Sequence, residues 1–108
     1  PNWLSEALEK IKEPDCFKKG SEILSILSHK SKEHTSRITK KYLSKTPSQI
    51  VNDIRLNYAG KMLVTSNIDI LNLSLNCGFK SLAQFYALFK KRYGLSPKQY
   101  RKHHRSIN

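Results

Sequence analysis

The stretch SRITKKYLSKTPSQI at residues 36–50 returns in altered form at residues 86–100 as YALFKKRYGLSPKQY. Both contain a Lys-Lys pair, followed by a hydroxyl residue, proline, any residue and glutamine. The last pattern is a capping box, in which the hydroxyl caps a new helix, proline takes its first position and glutamine its third. Because the matches share one offset of fifty residues, they indicate a small helical unit built twice. The identical pairs are Lys30 and Lys80, Ser31 and Ser81, Lys40 and Lys90, Lys41 and Lys91, Pro47 and Pro97, and Gln49 and Gln99.

Apolar residues recur at helical spacing along the whole chain, and no strand-like alternation competes with them. In the longest such stretch, Ile50, Ile54 and Tyr58 are four residues apart. We therefore predict an all-α fold of about seven helices, with a loop at residues 13–20. Each repeated unit has a short helix, a tight turn and a second helix, which is the helix-turn-helix layout. The predicted organisation is a first helix-turn-helix subdomain at 1–45, a linker helix at 46–65 and a second subdomain at 66–108.

The charge distribution indicates a polyanionic partner. The chain has 20 Lys and Arg residues against 8 Asp and Glu residues, which gives a formal net charge of +12. Residues 1–33 are neutral, so residues 34–108 carry the entire excess, with Asp53 and Asp69 as their only acids. A surface of this sign attracts nucleic acid or an anionic membrane, and charge alone leaves both open.

Other functional classes have little support in the sequence. It contains no paired carboxylates, nucleophile elbow or glycine-rich phosphate loop of the kinds that enzymes use. The two cysteines and four histidines lack the close spacing of zinc ligands. No apolar run approaches the 18 or so residues of a membrane span, and no signal peptide is visible. We therefore expect no catalytic residue, metal ion, cofactor or membrane partner, and a cytoplasmic location.

The second helix of each unit has a polar face opposite its apolar face. Such a helix can enter the major groove of DNA while flanking lysines reach the phosphates. Arg37 suits a bidentate contact to guanine, Gln84 suits adenine, and Ala83 suits a thymine methyl. The side chains predicted to point inward are Thr35, Ile38, Thr39 and Tyr42 in the first unit and Phe85, Leu88 and Phe89 in the second. The predicted base-contacting residues are Lys32, Glu33, Ser36, Arg37, Leu82, Ala83, Gln84 and Ala87, and the predicted phosphate-contacting residues are Ser31, Lys40, Lys41, Ser81, Lys90 and Lys91.

The length of the linker helix predicts how two such readers are used. Residues 47–65 form a helix of roughly 28 Å at about 1.5 Å per residue. One turn of B-DNA is about 34 Å, so two readers could reach successive major grooves on one face. A helical module that binds RNA or an anionic membrane surface without sequence preference is the alternative, and it does not require the repeat or its spacing.

Residues 54–102 resemble the signature of the AraC/XylS family of bacterial transcription regulators. The marks of the resemblance are Gly78-Phe79, Phe89-Lys90-Lys91, and a closing segment from Ser96-Pro97 to Tyr100-Arg101. The resemblance extends over about residues 18–104. Within the family, residues 31–59 look most similar to the chitobiose-operon regulator branch.

The resemblance implies a DNA-binding C-terminal domain that reads double-stranded DNA in a regulator of a sugar-utilisation operon. It further implies RNA polymerase as a partner, association with the bacterial nucleoid, and a sensory, effector-binding N-terminal domain that is absent from these residues.

Four positions depart from the family pattern. Thr35 and Thr39 replace the usual Leu and Phe, which predicts a weaker first core, partly compensated by hydroxyl hydrogen bonds. Ala87 replaces a frequent Arg, which predicts weak base reading by the second unit, and Ser44 replaces a helix-ending Gly.

Overall fold

The computed structural model describes residues 1–105, and within that range all regular secondary structure is α-helical. The all-α prediction is therefore confirmed. Residues 106–108, the end of the second predicted subdomain, lie outside the described residues. The eight described helices are α1 (Asn2–Lys10), α2 (Pro14–Phe17), α3 (Ile23–Ser28), α4 (Lys32–Leu43), α5 (Pro47–Thr65), α6 (Ile70–Cys77), α7 (Leu82–Tyr93) and α8 (Pro97–Arg105).

Helix α2 was not expected, because residues 13–20 were predicted as a loop. Pro14 occupies the first helical position, where its fixed φ suits a helix and its missing N–H is not needed. Asp15 adds a negative charge in the first turn, which favours the helix N-terminus. Phe17 is fully buried and holds this single turn against the core. A single turn is too short to produce a periodic pattern in the sequence.

The chain divides into two compact units, Pro1–Ile54 and a second beginning at Arg55, so the division falls within α5. In the first unit, α1 packs on α3 and α3 packs on α4. Thr35 and Thr39 are both buried, as predicted. Their hydroxyls donate to the backbone carbonyls of Ser31 (2.8 Å) and Ser36 (3.1 Å), so neither is left without a partner. The buried apolar residues of this unit are Leu4, Ala7, Ile11, Phe17, Ile23, Leu24, Ile50 and Val51.

The core of the second unit is larger and rich in aromatic residues. Phe85 and Phe89 are fully buried, with ring centroids 5.7 Å apart. Tyr93 packs on Phe89 at 4.5 Å, and Tyr100 meets the same ring edge-on at 5.2 Å, which brings α7 and α8 together. The buried members of this core are Leu56, Ala59, Leu63, Leu73, Cys77, Phe79, Phe85 and Phe89.

Both predicted capping boxes are present. Thr46 Oγ1 accepts from Gln49 N at 3.2 Å, and Gln49 Oε1 accepts from Thr46 N at 2.9 Å. Ser96 and Gln99 repeat this reciprocal pair at 3.2 and 3.0 Å. The repeat in the sequence therefore corresponds to a repeated start of a helix.

The ends of the helices in the repeat also match. Gly94 ends α7 with φ of 76°, and Ser44 ends α4 with φ of 58°. Both are left-handed C-cap conformations, which glycine adopts at little cost and serine does not. Ser44 thus takes up the backbone conformation of the glycine that it replaces.

Candidate nucleic-acid interface

Helix α4 exposes most of the residues predicted to contact bases in the first unit. Ser31 is its N-cap and accepts a hydrogen bond from His34 N at 3.0 Å. Lys32, Glu33 and Arg37 are exposed, and Ser36 is half-buried. Helical spacing places Glu33 and Arg37 opposite the buried Thr35 and Thr39, and it places Lys32 and Ser36 at the edges of that buried stripe.

Two of these side chains already have partners within the unit. Lys32 Nζ contacts Glu22 Oε1 at 2.8 Å, and this pairing lowers the pKa of the Glu22 carboxyl and raises that of Lys32. Both groups are largely exposed, so the ion pair is weak and DNA phosphate can compete for the ammonium group. Arg37 Nη2 donates to His34 Nδ1 at 2.9 Å.

The buried residues of helix α7 fall at the same helical positions as those of α4. Phe85 and Phe89 are buried at the positions equivalent to Thr35 and Thr39, fifty residues further on. Ala83 and Ala87 are exposed, and Leu82 is 39% exposed although it is apolar. This surface has methyl groups and no arginine at the position of Arg37.

Gln84 has a structural role that its prediction as a base contact missed. Its side chain is half-buried, and the side-chain Oε1 accepts a hydrogen bond from the backbone N–H of Lys80 at 2.8 Å. The backbone N–H of Gln84 donates to Ser81 Oγ at 3.0 Å. The side-chain oxygen is therefore engaged at the start of α7. The amide NH₂ group retains the capacity to donate.

The lysines predicted to contact phosphates lie exposed in the last turns of the two helices. Lys40 and Lys41 occupy the end of α4, and Lys90 and Lys91 the end of α7.

Tyr42 was predicted to point inward and does not: it is 55% exposed. The buried stripe of α4 stops at Thr39, and every residue from 40 to 45 is exposed, so the last turn extends beyond the core.

Several arginines that raise the net charge serve the fold of the second unit. Arg101 donates to the carbonyls of Leu63 (2.9 Å), Ser66 (3.3 Å) and Ile68 (2.6 Å). Arg105 donates to Ser66 O and to Asn67 Oδ1. Sequence reasoning placed Arg101 in a family motif but did not find this role. The sequence signal was only its place in that motif, which carries no information on the carbonyls that its guanidinium meets.

Arg92 and Arg55 likewise have internal partners. Arg92 Nη2 donates to Asn57 Oδ1 at 2.7 Å. Arg55 is 7% exposed, and its guanidinium lies 5.6 Å from the ring centre of Phe79. Burial lowers the pKa of Arg55, and the nearby Cys77 partly opposes that shift. These arginines therefore contact groups within the fold, and their charges still contribute to the basic field of the chain.

No group of three His, Cys, Asp or Glu side chains in the described part of the chain could hold a metal ion. Across residues 1–105, no helix has both the length and the hydropathy needed to cross a membrane. Burial raises the pKa of the Cys77 thiol to about 12, an effect that the nearby Arg55 reduces, so this thiol is not a nucleophile near neutral pH.

Each unit has a short helix, a turn and a serine-capped second helix with an exposed face, which is the helix-turn-helix layout of a class of DNA-binding proteins. A family model described as "Helix-turn-helix domain" matches residues 25–103. The chain belongs to this AraC-type family of transcription regulators, as the sequence resemblance predicted, and it carries the family's DNA-binding domain rather than an enzyme.

Curated relatives agree with this assignment. The chain is 35% identical over 75 residues to the HTH-type transcriptional regulator ArgR of Pseudomonas aeruginosa, covering 69% of this chain and 23% of that protein. It is 35% identical over 65 residues to the melibiose operon regulatory protein of Escherichia coli K12, covering 60% of this chain and 22% of that protein. The chain thus spans about a quarter of the length of these relatives.

Solved structures share the fold. An AraC-type transcriptional regulator from Chromobacterium violaceum superposes with a TM-score of 0.85 at 22% identity, covering 99% of this chain and 96% of that one. The DNA-binding domain of AdpA, solved in complex with a target DNA, has a TM-score of 0.79 at 24% identity, with coverage of 99% and 93%.

Proposed function

We propose that this chain reads double-stranded DNA sequence-specifically by placing α4 and α7 in two successive major grooves. The observation that carries the proposal is the common register of the two helices. Each is capped by a serine, buries the fourth and eighth helical residues, and exposes the sixth residue together with two lysines at its end. A recognition helix needs a buried anchor face and a free polar face in this arrangement.

The two helices offer different chemistry to the bases. α4 presents Arg37, whose guanidinium can make two hydrogen bonds to guanine and so distinguish it from other bases by about 1–3 kcal/mol. α7 presents Ala83, Ala87 and the amide of Gln84, which suit methyl contacts and one hydrogen bond. We therefore propose that α4 carries most of the base discrimination, while Lys90 and Lys91 contribute affinity through phosphates.

The regulatory context is proposed from the relatives. One relative is named as the melibiose operon regulator, which supports a role in sugar utilisation. Resemblance to the chitobiose-operon branch stays a prediction. We further propose that an effector-binding domain N-terminal to these residues, RNA polymerase and a nucleoid location belong to the whole protein. The predicted division at residues 1–45, 46–65 and 66–108 is retained as a proposal about how the readers and the linker are organised.

The proposal is tested by a base-substitution scan on a duplex selected from a randomised library. Arg37→Ala should relax the preference at one or two base pairs in one half of the site. Lys90→Ala should weaken all sequences about equally and reduce the slope of log K against log salt by about one. Lys19→Ala, which removes one exposed charge from the first unit outside α4, is the matched control. Identical profiles for Arg37→Ala and Lys90→Ala would contradict the division of roles.

Salt titration separates duplex reading from the alternative of a non-specific basic module. If about six phosphates are neutralised, log K should fall with log salt at a slope near −5. A selected duplex should bind more tightly than a scrambled duplex, a single-stranded RNA or vesicles of anionic lipid. Equal affinity for these four ligands would overturn the proposal in favour of the non-specific module.

A further inference from the structure

One side chain of α4 departs from an arrangement that the three glutamines of the chain share. Gln49, Gln84 and Gln99 each stand three residues after a capping hydroxyl. Each turns its Oε1 back to a backbone N–H at the start of its helix, at 2.8 to 3.0 Å. His34 occupies this position in α4, because it follows the cap Ser31 by three residues. The Nδ1 atom of its ring contacts Arg37 instead.

The His34 ring lies between Trp3 and Arg37. Its Nδ1 atom is 2.9 Å from Arg37 Nη2. Arginine has only donors, so Nδ1 must be the acceptor and the ring proton of the neutral imidazole must be on Nε2. The ring centroid is 5.8 Å from that of Trp3, with the planes tilted by 32°. The Lys30 ammonium is 5.7 Å from the centre of the Trp3 ring.

We propose that His34 and Trp3 are positioning residues for Arg37. The inference rests on the proposed base contact of Arg37 and names what prepares that contact. A free arginine loses its rotamer freedom when it binds, which weakens binding by roughly 2- to 10-fold for a single long side chain. A hydrogen bond to His34 restricts the guanidinium before DNA arrives, and the Trp3 ring restricts His34.

The position of Trp3 in the chain gives the inference a further consequence. Trp3 is in α1, outside residues 25–103 that the family model matches. A helix that flanks the matched domain thus acts on the reading helix through one aromatic contact. In the second unit the equivalent positions hold Gln84 and Ala87, so no such arrangement can form there.

The test uses four proteins: the wild type, His34→Gln, Arg37→Ala and the double variant. Glutamine at position 34 should cap α4 as the three other glutamines cap their helices, so the urea midpoint should not fall. Discrimination at the base pair that depends on Arg37 should nevertheless fall about 2- to 10-fold. In the Arg37→Ala background, His34→Gln should have no further effect on discrimination.

Fluorescence tests whether His34 contacts Trp3 in solution. Trp3 is the only tryptophan, so its emission reports the contact with His34 directly. Emission should change in His34→Gln although the protein stays folded. Trp3→Leu should lower the same discrimination, and Trp3→Phe should restore most of it because a ring is kept. Lys10→Gln, at the exposed end of α1, is the control and should change neither quantity.

The possible failures are distinguishable. If Arg37→Ala leaves every base preference unchanged, the proposed base contact is wrong and the positioning role falls with it. If Arg37→Ala relaxes one preference but His34→Gln does not, only the positioning role is overturned. An equal effect of His34→Gln with and without Arg37 would also overturn it, because His34 would then act independently.

Discussion

Replacing Arg101 should destabilise the second unit more than any other single change of a basic residue in α8. Its guanidinium donates to three backbone carbonyls at and beyond the end of α5. The carbonyls of a last helical turn have no partner within the helix, so side-chain donors are needed there. Arg101→Met keeps the aliphatic stem and removes every donor, which isolates the hydrogen bonds from the packing.

The expected loss follows from which carbonyls keep a donor. Ser66 O also accepts from Arg105, so it remains satisfied in the variant. Leu63 O and Ile68 O lose their Arg101 donors. Hydrogen bonds to charged groups contribute about 1.5–3 kcal/mol each, and the low end applies because Arg101 is only half-buried. We expect the free energy of unfolding to fall by about 3 kcal/mol in Arg101→Met. Arg101→Lys, with one ammonium group, should lose about half as much.

Urea denaturation followed by far-UV circular dichroism measures this loss. With a slope of about 1.5 kcal/mol/M, a loss of 3 kcal/mol lowers the midpoint by roughly 2 M. Lys102→Met, the exposed neighbour on the same helix, is the control for helix propensity and charge. If the midpoints of Arg101→Met and Lys102→Met coincide, the carbonyl contacts contribute nothing to stability and the reasoning is refuted.

The left-handed backbone at positions 44 and 94 predicts opposite effects of two substitutions. Ser44→Gly should raise the free energy of unfolding by about 1 kcal/mol, and Gly94→Ala should lower it by about 1 kcal/mol. The urea midpoints of the two variants should therefore shift in opposite directions. Cys77 should resist alkylation at pH 8, since its raised pKa leaves almost no thiolate and it is fully buried, whereas half-buried Cys16 should react first. Mass spectrometry should find one label per native chain and two after addition of urea, and two labels on the native chain would contradict this.

Local chemistry explains why much of the fold was predictable. Ser31, Ser81, Thr46 and Ser96 cap helices through atoms only three residues away, so residue type and spacing suffice to find them. The burial of Thr35, Thr39, Phe85 and Phe89 likewise follows from helical periodicity. The buried faces predicted for α4 and α7 are therefore confirmed at these four residues, and the prediction for α4 fails only in its last turn.

The errors occurred where the outcome depends on neighbours distant in the chain or on very short elements. Tyr42 has the spacing of a core residue, but the core beneath α4 ends one turn earlier, and periodicity cannot show where a core ends. The side-chain oxygen of Gln84 accepts a hydrogen bond at the start of α7, a role that the prediction did not include, while its base contact stays a prediction. The base and phosphate contacts themselves stay predictions.

Interactions within one or two turns make the helices other than α2, the caps of the repeated unit and most of the buried faces of α4 and α7 predictable from the sequence. Which basic residues donate hydrogen bonds within the fold depends instead on tertiary contacts. Arg101 and Arg105 bind carbonyls more than thirty residues away in the chain, and Arg92 binds Asn57 at a similar separation. A count of charges treats all of these arginines alike. Their division into structural donors and exposed cations arises when folding brings α8 and α7 to α5, since a guanidinium satisfies whichever acceptors the fold places beside it.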